Sequence, residues 1–304
     1  MTDQAFNILI NGKSGTVLNM GQPAIESAIT TSGIGVAELC FSEPEDMQDN
    51  LARLSKQGKP LLIGGGDGTI RETAKYVSKH GKAFGILPFG TMNLLAHDLG
   101  LTTLQQALSA YAAGAQPSVM DAGFVNGEIF LCCASIGTMP EASVYREENR
   151  QQNDLLLIPR MFLFVVQNLE KNQNKRLSLK IDGQKMHLRS PALVVSINRF
   201  AESSIWTQSN FKRANLTGGE LAVYAPETLT HMSRLRFLTR LLVGNWLKDP
   251  DLNEMTGKRV TVKTRHRQDV VSIDGEVMEL TEPLRFSLKQ KFVKLLVPAT
   301  PVQG

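Results

Sequence analysis

Over residues 1–120 short apolar runs alternate with amphipathic stretches. Phe6-Asn7-Ile8-Leu9-Ile10 reads as a short buried strand that ends in a polar loop, Asn11-Gly12-Lys13-Ser14-Gly15. A second strand falls near 36–40. A helix follows from about Ser42 and Pro44, carries Met47, Leu51 and Leu54 on one face, and stops at Gly58. Pro60-Leu61-Leu62-Ile63 is the next strand, and a glycine loop follows at once. Residues 69–78 read as a helix, Phe84-Gly85-Ile86-Leu87-Pro88 as a strand, and 93–99 as a further helix. This strand-helix order predicts an α/β domain with a parallel sheet.

Near Val119 the pattern changes to short alternating segments separated by turns. Asn126-Gly127, Asp182-Gly183 and Asp274-Gly275 each lie between β-rich runs, as hairpin turns do. Residues 193–197, 221–224 and 260–262 also read as strands, with helical insertions expected over 155–169 and about 229–247. The second domain is therefore expected to be β-rich, a β-sandwich. The expected division is 1–120, 121–280, and a segment 281–304 that returns to the first domain.

Composition adds limits. At 304 residues and 42% hydrophobic, the chain is expected to hold two packed domains. No apolar run is long enough for a transmembrane helix, and the first residues do not read as a signal peptide. Cys40, Cys132 and Cys133 show neither disulfide nor zinc spacing, which fits a reducing cytoplasm. The net charge of +4 is uneven: −5 over residues 1–150 and +9 over 151–304. A basic second half suits an anionic surface, although a solvated basic face is the plainer reading.

Gly64-Gly65-Gly66-Asp67-Gly68-Thr69 joins a buried strand to a helix. Glycine lets backbone approach a ligand closely or take positive φ, and helix N-termini attract phosphate. An aspartate there would repel phosphate unless it meets magnesium, a ribose or an acceptor hydroxyl. A Walker loop is excluded, because its first glycine would fall at Asn7; a dinucleotide fingerprint fails at Thr69 and Arg71. The second loop, Gly90-Thr91-Met92-Asn93, has the same setting, with Asn93 either a nucleotide ligand or a helix cap. Two glycine loops at the ends of successive strands sit where ligands bind in open α/β sheets.

Gly65-Gly66-Asp67-Gly68-Thr69, then Pro88-x-Gly90-Thr91-x-Asn93-x-x-Ala96, then a distant Asp274-Gly275-Glu276, resembles the catalytic domain of diacylglycerol and sphingosine kinases. It is most similar to the bacterial soluble lipid kinases within the NAD-kinase-like superfamily. The resemblance implies a nucleotide-binding α/β domain, a β-rich lipid-substrate domain covering the cleft, ATP, Mg2+ and a lipid hydroxyl acceptor. It places nucleotide contacts at Asn11, Gly15, Gly65, Gly66, Asp67, Gly68, Thr69, Ile70, Arg71, Glu72, Gly90, Thr91 and Asn93. Asp67 would lie near the transferred phosphate, and Asp274 or Glu276 would be the general base. It also implies a cytoplasmic enzyme of phospholipid metabolism, peripheral at the inner membrane face; a homodimer is left open. Departures are Asn11-Gly12 in place of Asn-Pro, Arg71 in place of Asn, and Leu216-Thr217-Gly218-Gly219-Glu220-Leu221 without the aspartate of a structural magnesium loop.

Other features carry two readings each. Asp274-Gly275 is locally a plain hairpin turn, like Asp182-Gly183. The 229–247 helix, with Arg234, Arg236 and Arg240 beside leucines and Trp246, fits an interfacial helix or a packed helix with solvated arginines. Residues 155–166 could line an acyl-chain slot or a core, and the basic run 258–267 alternates as an exposed strand would. Nothing supports nucleic-acid recognition, and the histidines show no metal spacing. The runner-up activity is an NAD kinase. A non-catalytic nucleotide- or lipid-binding regulator is the third reading.

Overall fold

The computed structural model describes residues 4–137, 175–202, 211–227, 231–264 and 267–299. The chain divides into two compact units, Met1–Met120 with Lys291–Gly304, and Asp121–Gln290. No helix among the described residues is long and apolar enough to cross a membrane.

The first unit contains β1 (Ala5–Asn11), α1 (Gly15–Met20), α2 (Gln22–Thr31), β2 (Gly35–Ser42), α3 (Met47–Lys56), β3 (Leu61–Gly65), α4 (Asp67–Lys79), β4 (Ala83–Pro88), α5 (Leu94–Asp98) and α6 (Leu104–Ala112). Its strands run parallel in the order β2-β1-β3-β4, with Leu9 opposite both Cys40 and Ile63. β3 is buried throughout and β1 nearly so, which is why both read as continuous apolar runs. From β1 the chain steps to one side for β2 and returns to the other for β3. That reversal opens a crevice at the C-terminal ends of β1 and β3.

Segment 291–298 lies parallel to β4, with Lys294 opposite Ala83 and Leu295 opposite Phe84. Tyr111 extends this join. Its fully buried hydroxyl accepts the Ile86 N–H (3.0 Å) and donates to the Leu296 carbonyl (3.0 Å). Burial pushes the phenol well above its usual pKa. A Cβ on Gly85 would lie 2.8 Å from that hydroxyl, so the glycine makes room for the bridge.

The second unit receives the chain through β5 (Ala115–Val125) and continues with β6 (Glu128–Phe130), β7 (Cys133–Gly137), β8 (Lys175–Ile181), β9 (Gln184–Ser190), β10 (Ala192–Ile197) and β11 (Leu221–Pro226). It goes on through α7 (His231–Val243), β12 (Leu252–Gly257), β13 (Arg259–Lys263), β14 (Gln268–Ile273), β15 (Glu276–Thr281) and β16 (Leu284–Pro298), whose last residues form the segment beside β4. One antiparallel sheet has the order β12-β11-β10-β7-β14-β15. In the other, β13 lies between β16 and β8, and β9 follows β8. Leu177, Leu179, Val260, Val262 and Phe286 of this sheet share one core with Leu193, Val195, Val223 and Val271 of the first. The unit is thus a β-sandwich. Asn126-Gly127, Asp182-Gly183 and Asp274-Gly275 each take positive φ at both positions, the geometry of tight hairpins.

The helix expected over 155–169 lies outside the described residues. The one expected over 229–247 is α7 followed by a short 3-10 turn at Trp246–Lys248. Arg236 and Arg240 are not simply solvated. Arg236 bonds Asp249 and Asp251, and Arg240 lies 3.5 Å from Asp249. Nearby, Trp246 packs with Phe200 and Tyr224 in a separate small core.

Tyr111→Phe deletes the bridge and strands one buried donor and one buried acceptor. It is expected to cost about 1–3 kcal/mol in urea unfolding; an unchanged midpoint contradicts the bridging role.

Burial and a hydrogen bond with Asp269 raise Glu282 above its usual pKa. The Thr264 hydroxyl contacts both carboxyls, and the Thr264 N–H donates to Glu282 (2.8 Å). The folded state therefore keeps a proton that the unfolded chain has released. This contribution to stability is complete below the ordinary glutamate pKa and is lost as pH rises through the raised folded value. Glu282→Gln is expected to flatten that loss in unfolding midpoints taken between about pH 4 and pH 8; parallel wild-type and variant curves contradict it.

Candidate functional site

Three loops leave the C-terminal ends of adjacent parallel strands: 11–15 after β1, 65–69 after β3 and 88–93 after β4. Side chains tie them together. Asn11 Nδ2 donates to Thr69 Oγ1 (2.9 Å), and Asn11 Oδ1 accepts the Lys13 N–H (2.9 Å). Asp67 Oδ1 accepts the Leu94 N–H (2.7 Å) at the start of α5. Backbone bonds add to these: Phe89 N–H to Gly65 O (3.2 Å), and Thr16 N–H to Phe89 O (3.1 Å).

The glycines are required for space. A Cβ on Gly90 would lie 2.5 Å from Gly66 Cα, and one on Gly65 would lie 2.5 Å from Thr69 Cβ. None of Gly64, Gly65, Gly66 and Gly68 is left-handed, so the torsional role considered from sequence does not apply to them. Gly66 precedes α4, and no side chain caps that helix. Its first-turn N–H groups therefore suit an anion. Asn93 is left-handed, and its amide bonds both the N–H and the carbonyl of Gly90, at 2.7 Å each. Asn93 stands at the N-cap of α5 without a side-chain capping bond; the Leu94 N–H goes to Asp67 instead.

The other expected contacts are distributed around this cradle. Gly15 opens α1. Ile70 is buried at 4% exposure, so its side chain belongs to the core. Arg71 is also buried, with Nη2 3.7 Å from Glu72 Oε1, while Glu72 and Thr91 are exposed. Ser14 was not among the expected ligands. Its hydroxyl is buried at 1% exposure and has no hydrogen-bond partner among the described residues. A serine in a strand-end loop was the available signal for it.

In the second unit, Asp274 and Glu276 differ sharply. Asp274 is buried at 3% exposure. Its carboxylate accepts the N–H groups of Leu131 (2.7 Å), Cys132 (2.8 Å) and Cys133 (3.1 Å). It therefore fixes the β14–β15 turn against the chain entering β7. Glu276 begins β15 and is exposed. The 155–166 stretch, read as an acyl slot or core, lies outside the described residues.

The 216–221 loop does not fit a structural magnesium. Asp121 Oδ2 accepts the Gly219 N–H (2.8 Å), and Asn198 Oδ1 accepts the Glu220 N–H (3.2 Å). Asn215 Oδ1 accepts the Thr217 N–H (3.1 Å). A Cβ on Gly218 would lie 2.7 Å from Asn198 Oδ1 and 2.8 Å from Asn215 Oδ1. The oxygens around Gly218 already serve backbone donors, and an aspartate at that position has no room. No group of three or more His, Cys, Asp or Glu side chains gathers at metal-binding spacing among the described residues. A magnesium at the first-unit cradle would arrive on phosphates, with Asp67 the carboxylate that fits it.

Residues 5–125 match the diacylglycerol kinase catalytic domain, and residues 139–297 match the YegS C-terminal NAD kinase beta sandwich-like domain. An uncharacterized protein of Synechocystis is 23% identical over 242 residues, spanning 78% of this chain and 54% of that protein. A Pseudomonas aeruginosa protein named "Probable lipid kinase YegS-like" is 39% identical over 79 residues, 25% of this chain and 26% of its own. The chain thus spans about half and about a quarter of these relatives' lengths. A solved Bacillus anthracis structure described as a diacylglycerol kinase has a TM-score of 0.66 at 15% identity, covering 98% of both chains. Another solved chain from that organism reaches 0.72 at 16% identity, with 97% of both covered. At these identities the likeness establishes the fold alone.

Gly90→Ala forces its methyl into Gly66. It is expected to cost about 1–3 kcal/mol of stability, as overpacking does, and to weaken binding of a non-hydrolysable ATP analogue in calorimetry. Unchanged affinity contradicts the reading of the two glycines as one cradle.

Proposed function

The chain belongs to the family that joins a diacylglycerol kinase catalytic domain to a YegS C-terminal domain, and from that premise we propose that it phosphorylates a lipid hydroxyl. The donor is ATP, which the catalytic domain implies. The acceptor is of the diacylglycerol, phosphatidylglycerol or sphingoid type. The observation that carries this reading is the cradle of three loops tied by Asn11–Thr69 and Asp67–Leu94. The uncapped start of α4 and the Ser14 hydroxyl, which has no partner among the described residues, supply donors for phosphate oxygens. A phosphate-borne magnesium would neutralise charge on the transferring group, and Asp67 would hold it.

The assigned base is Glu276. As the acceptor oxygen bonds to the γ-phosphorus, the bond from that phosphorus to the β,γ-bridging oxygen breaks and ADP leaves. The hydroxyl proton passes to the Glu276 carboxylate. Asp274 is a positioning residue: both of its oxygens serve backbone N–H groups, and it fixes the turn from which Glu276 emerges. An exposed carboxylate can accept a proton in this way provided its position is right.

Glu276→Gln is expected to lower kcat by about 10²–10⁴. Asp274→Asn is expected to lose about 1–3 kcal/mol of stability, because three donors then face one oxygen in place of two. Both are read by transfer of label from ATP to micellar lipids and by thermal melting. Wild-type turnover in Glu276→Gln overturns the base assignment.

A further inference from the structure

The sheet containing β16, β13, β8 and β9 turns its apolar residues inward and a field of cations outward. Leu177, Leu179, Val260, Val262 and Phe286 fill the sandwich core. The alternate positions face the other way. On β8 and β9, Arg176 stands directly opposite Arg189, and Lys180 directly opposite Lys185; all four are exposed. On β13, Arg259 and Lys263 continue the field, and Thr261, between them, is opposite Lys180 on one side and Arg285 on the other. No Asp or Glu occupies an outward position on these strand segments. Asp182 is in the β8–β9 turn, where it accepts the N–H groups of Lys258 (3.0 Å) and Arg259 (2.9 Å).

Like charges directly opposite on a sheet face destabilise it. Two such pairs, one on each side of the Ser178–His187 pair and with no acid on these strand segments, lower the stability of this sandwich without improving its packing. A merely solvated face would be better served by mixed charge. The geometry points to a docking surface for an anionic lipid bilayer. This extends the lipid-kinase reading and rests on it for the choice of partner. The neutral outward residues on β8, β9, β13 and residues 284–287 of β16 are Ser178, His187, Thr261 and Ser287, so these strands offer one imidazole and no apolar side chain for insertion. The contact is electrostatic and flat. It requires anionic headgroups and weakens with salt.

The test uses the full chain and sedimentation with phosphatidylcholine vesicles, with and without phosphatidylglycerol. Wild type is expected to sediment only with the anionic vesicles at low salt and to be released near about 0.5 M salt. Lys180→Gln/Lys185→Gln and Arg176→Gln/Arg189→Gln each remove two cations. Each pair of changes is expected to lower partitioning about 20- to 30-fold. Melting temperature is expected to rise or stay constant, since repulsion is relieved, and ATP-analogue binding should not change. Equal sedimentation with neutral vesicles overturns the proposal. So does wild-type partitioning of both double variants. Loss of oligonucleotide binding in the variants, with vesicle binding unmoved, also overturns it and assigns the face to nucleic acid. Anionic-vesicle binding with no phosphorylated lipid leaves the docking face standing and removes the kinase reading. A lipid product from anionic vesicles made as fast by the double variants as by wild type does the reverse.

Discussion

The backbones of Gly66 and Gly90 lie so close that neither loop can shift alone. A Cβ on Gly90 would be 2.5 Å from Gly66 Cα. Asp67 strengthens the contact by taking the Leu94 N–H, so the end of β3 and the start of α5 move as one. Asn11 brings in the β1 loop through Thr69. The start of α4 is thus set before any ligand arrives. Phosphoryl transfer depends mostly on position and charge, so the chemistry proposed for this chain inherits its precision from that contact.

The second unit uses its carboxylates differently. Asp274, Asp182 and Asp121 each accept backbone N–H groups from a distant stretch of chain. They tie loops to one another and are poorly suited to reaction. Glu276 is the exposed carboxylate beside the Asp274 turn, and it is the proposed proton acceptor. The 216–221 loop is held by the same device, through Asp121, Asn198 and Asn215. Arg236 of α7 also belongs to this internal bonding, held by Asp249 and Asp251. Among the described residues, a field of exposed cations lies on the β8–β9–β13 face.

Much of this was legible in the residues. The buried parallel strands announced themselves as continuous apolar runs, and the three hairpins through Asn-Gly and Asp-Gly pairs that tolerate positive φ. The glycine loops could be placed at strand ends by pattern alone. The pairings across loops could not. That Asp67 caps α5, or that Asp274 binds the 131–133 backbone, depends on contacts between positions far apart in sequence. Local spacing carries no trace of them. The ion pairs of Arg236 and Arg240 in α7 were hidden for the same reason: their acids follow the helix, beyond a turn. The alternating cations of 258–267 were visible as one strand, but their like-charged neighbours appear only once the β8–β9 register is known.

The most direct measurement is transfer of labelled γ-phosphate from ATP with magnesium, by the wild-type protein, to diacylglycerol, phosphatidylglycerol and sphingosine, with NAD as a parallel acceptor. A labelled lipid with NAD unlabelled is the predicted result. Label on NAD alone, or ATP bound with no labelled acceptor, would contradict the assignment of this chain as a lipid kinase.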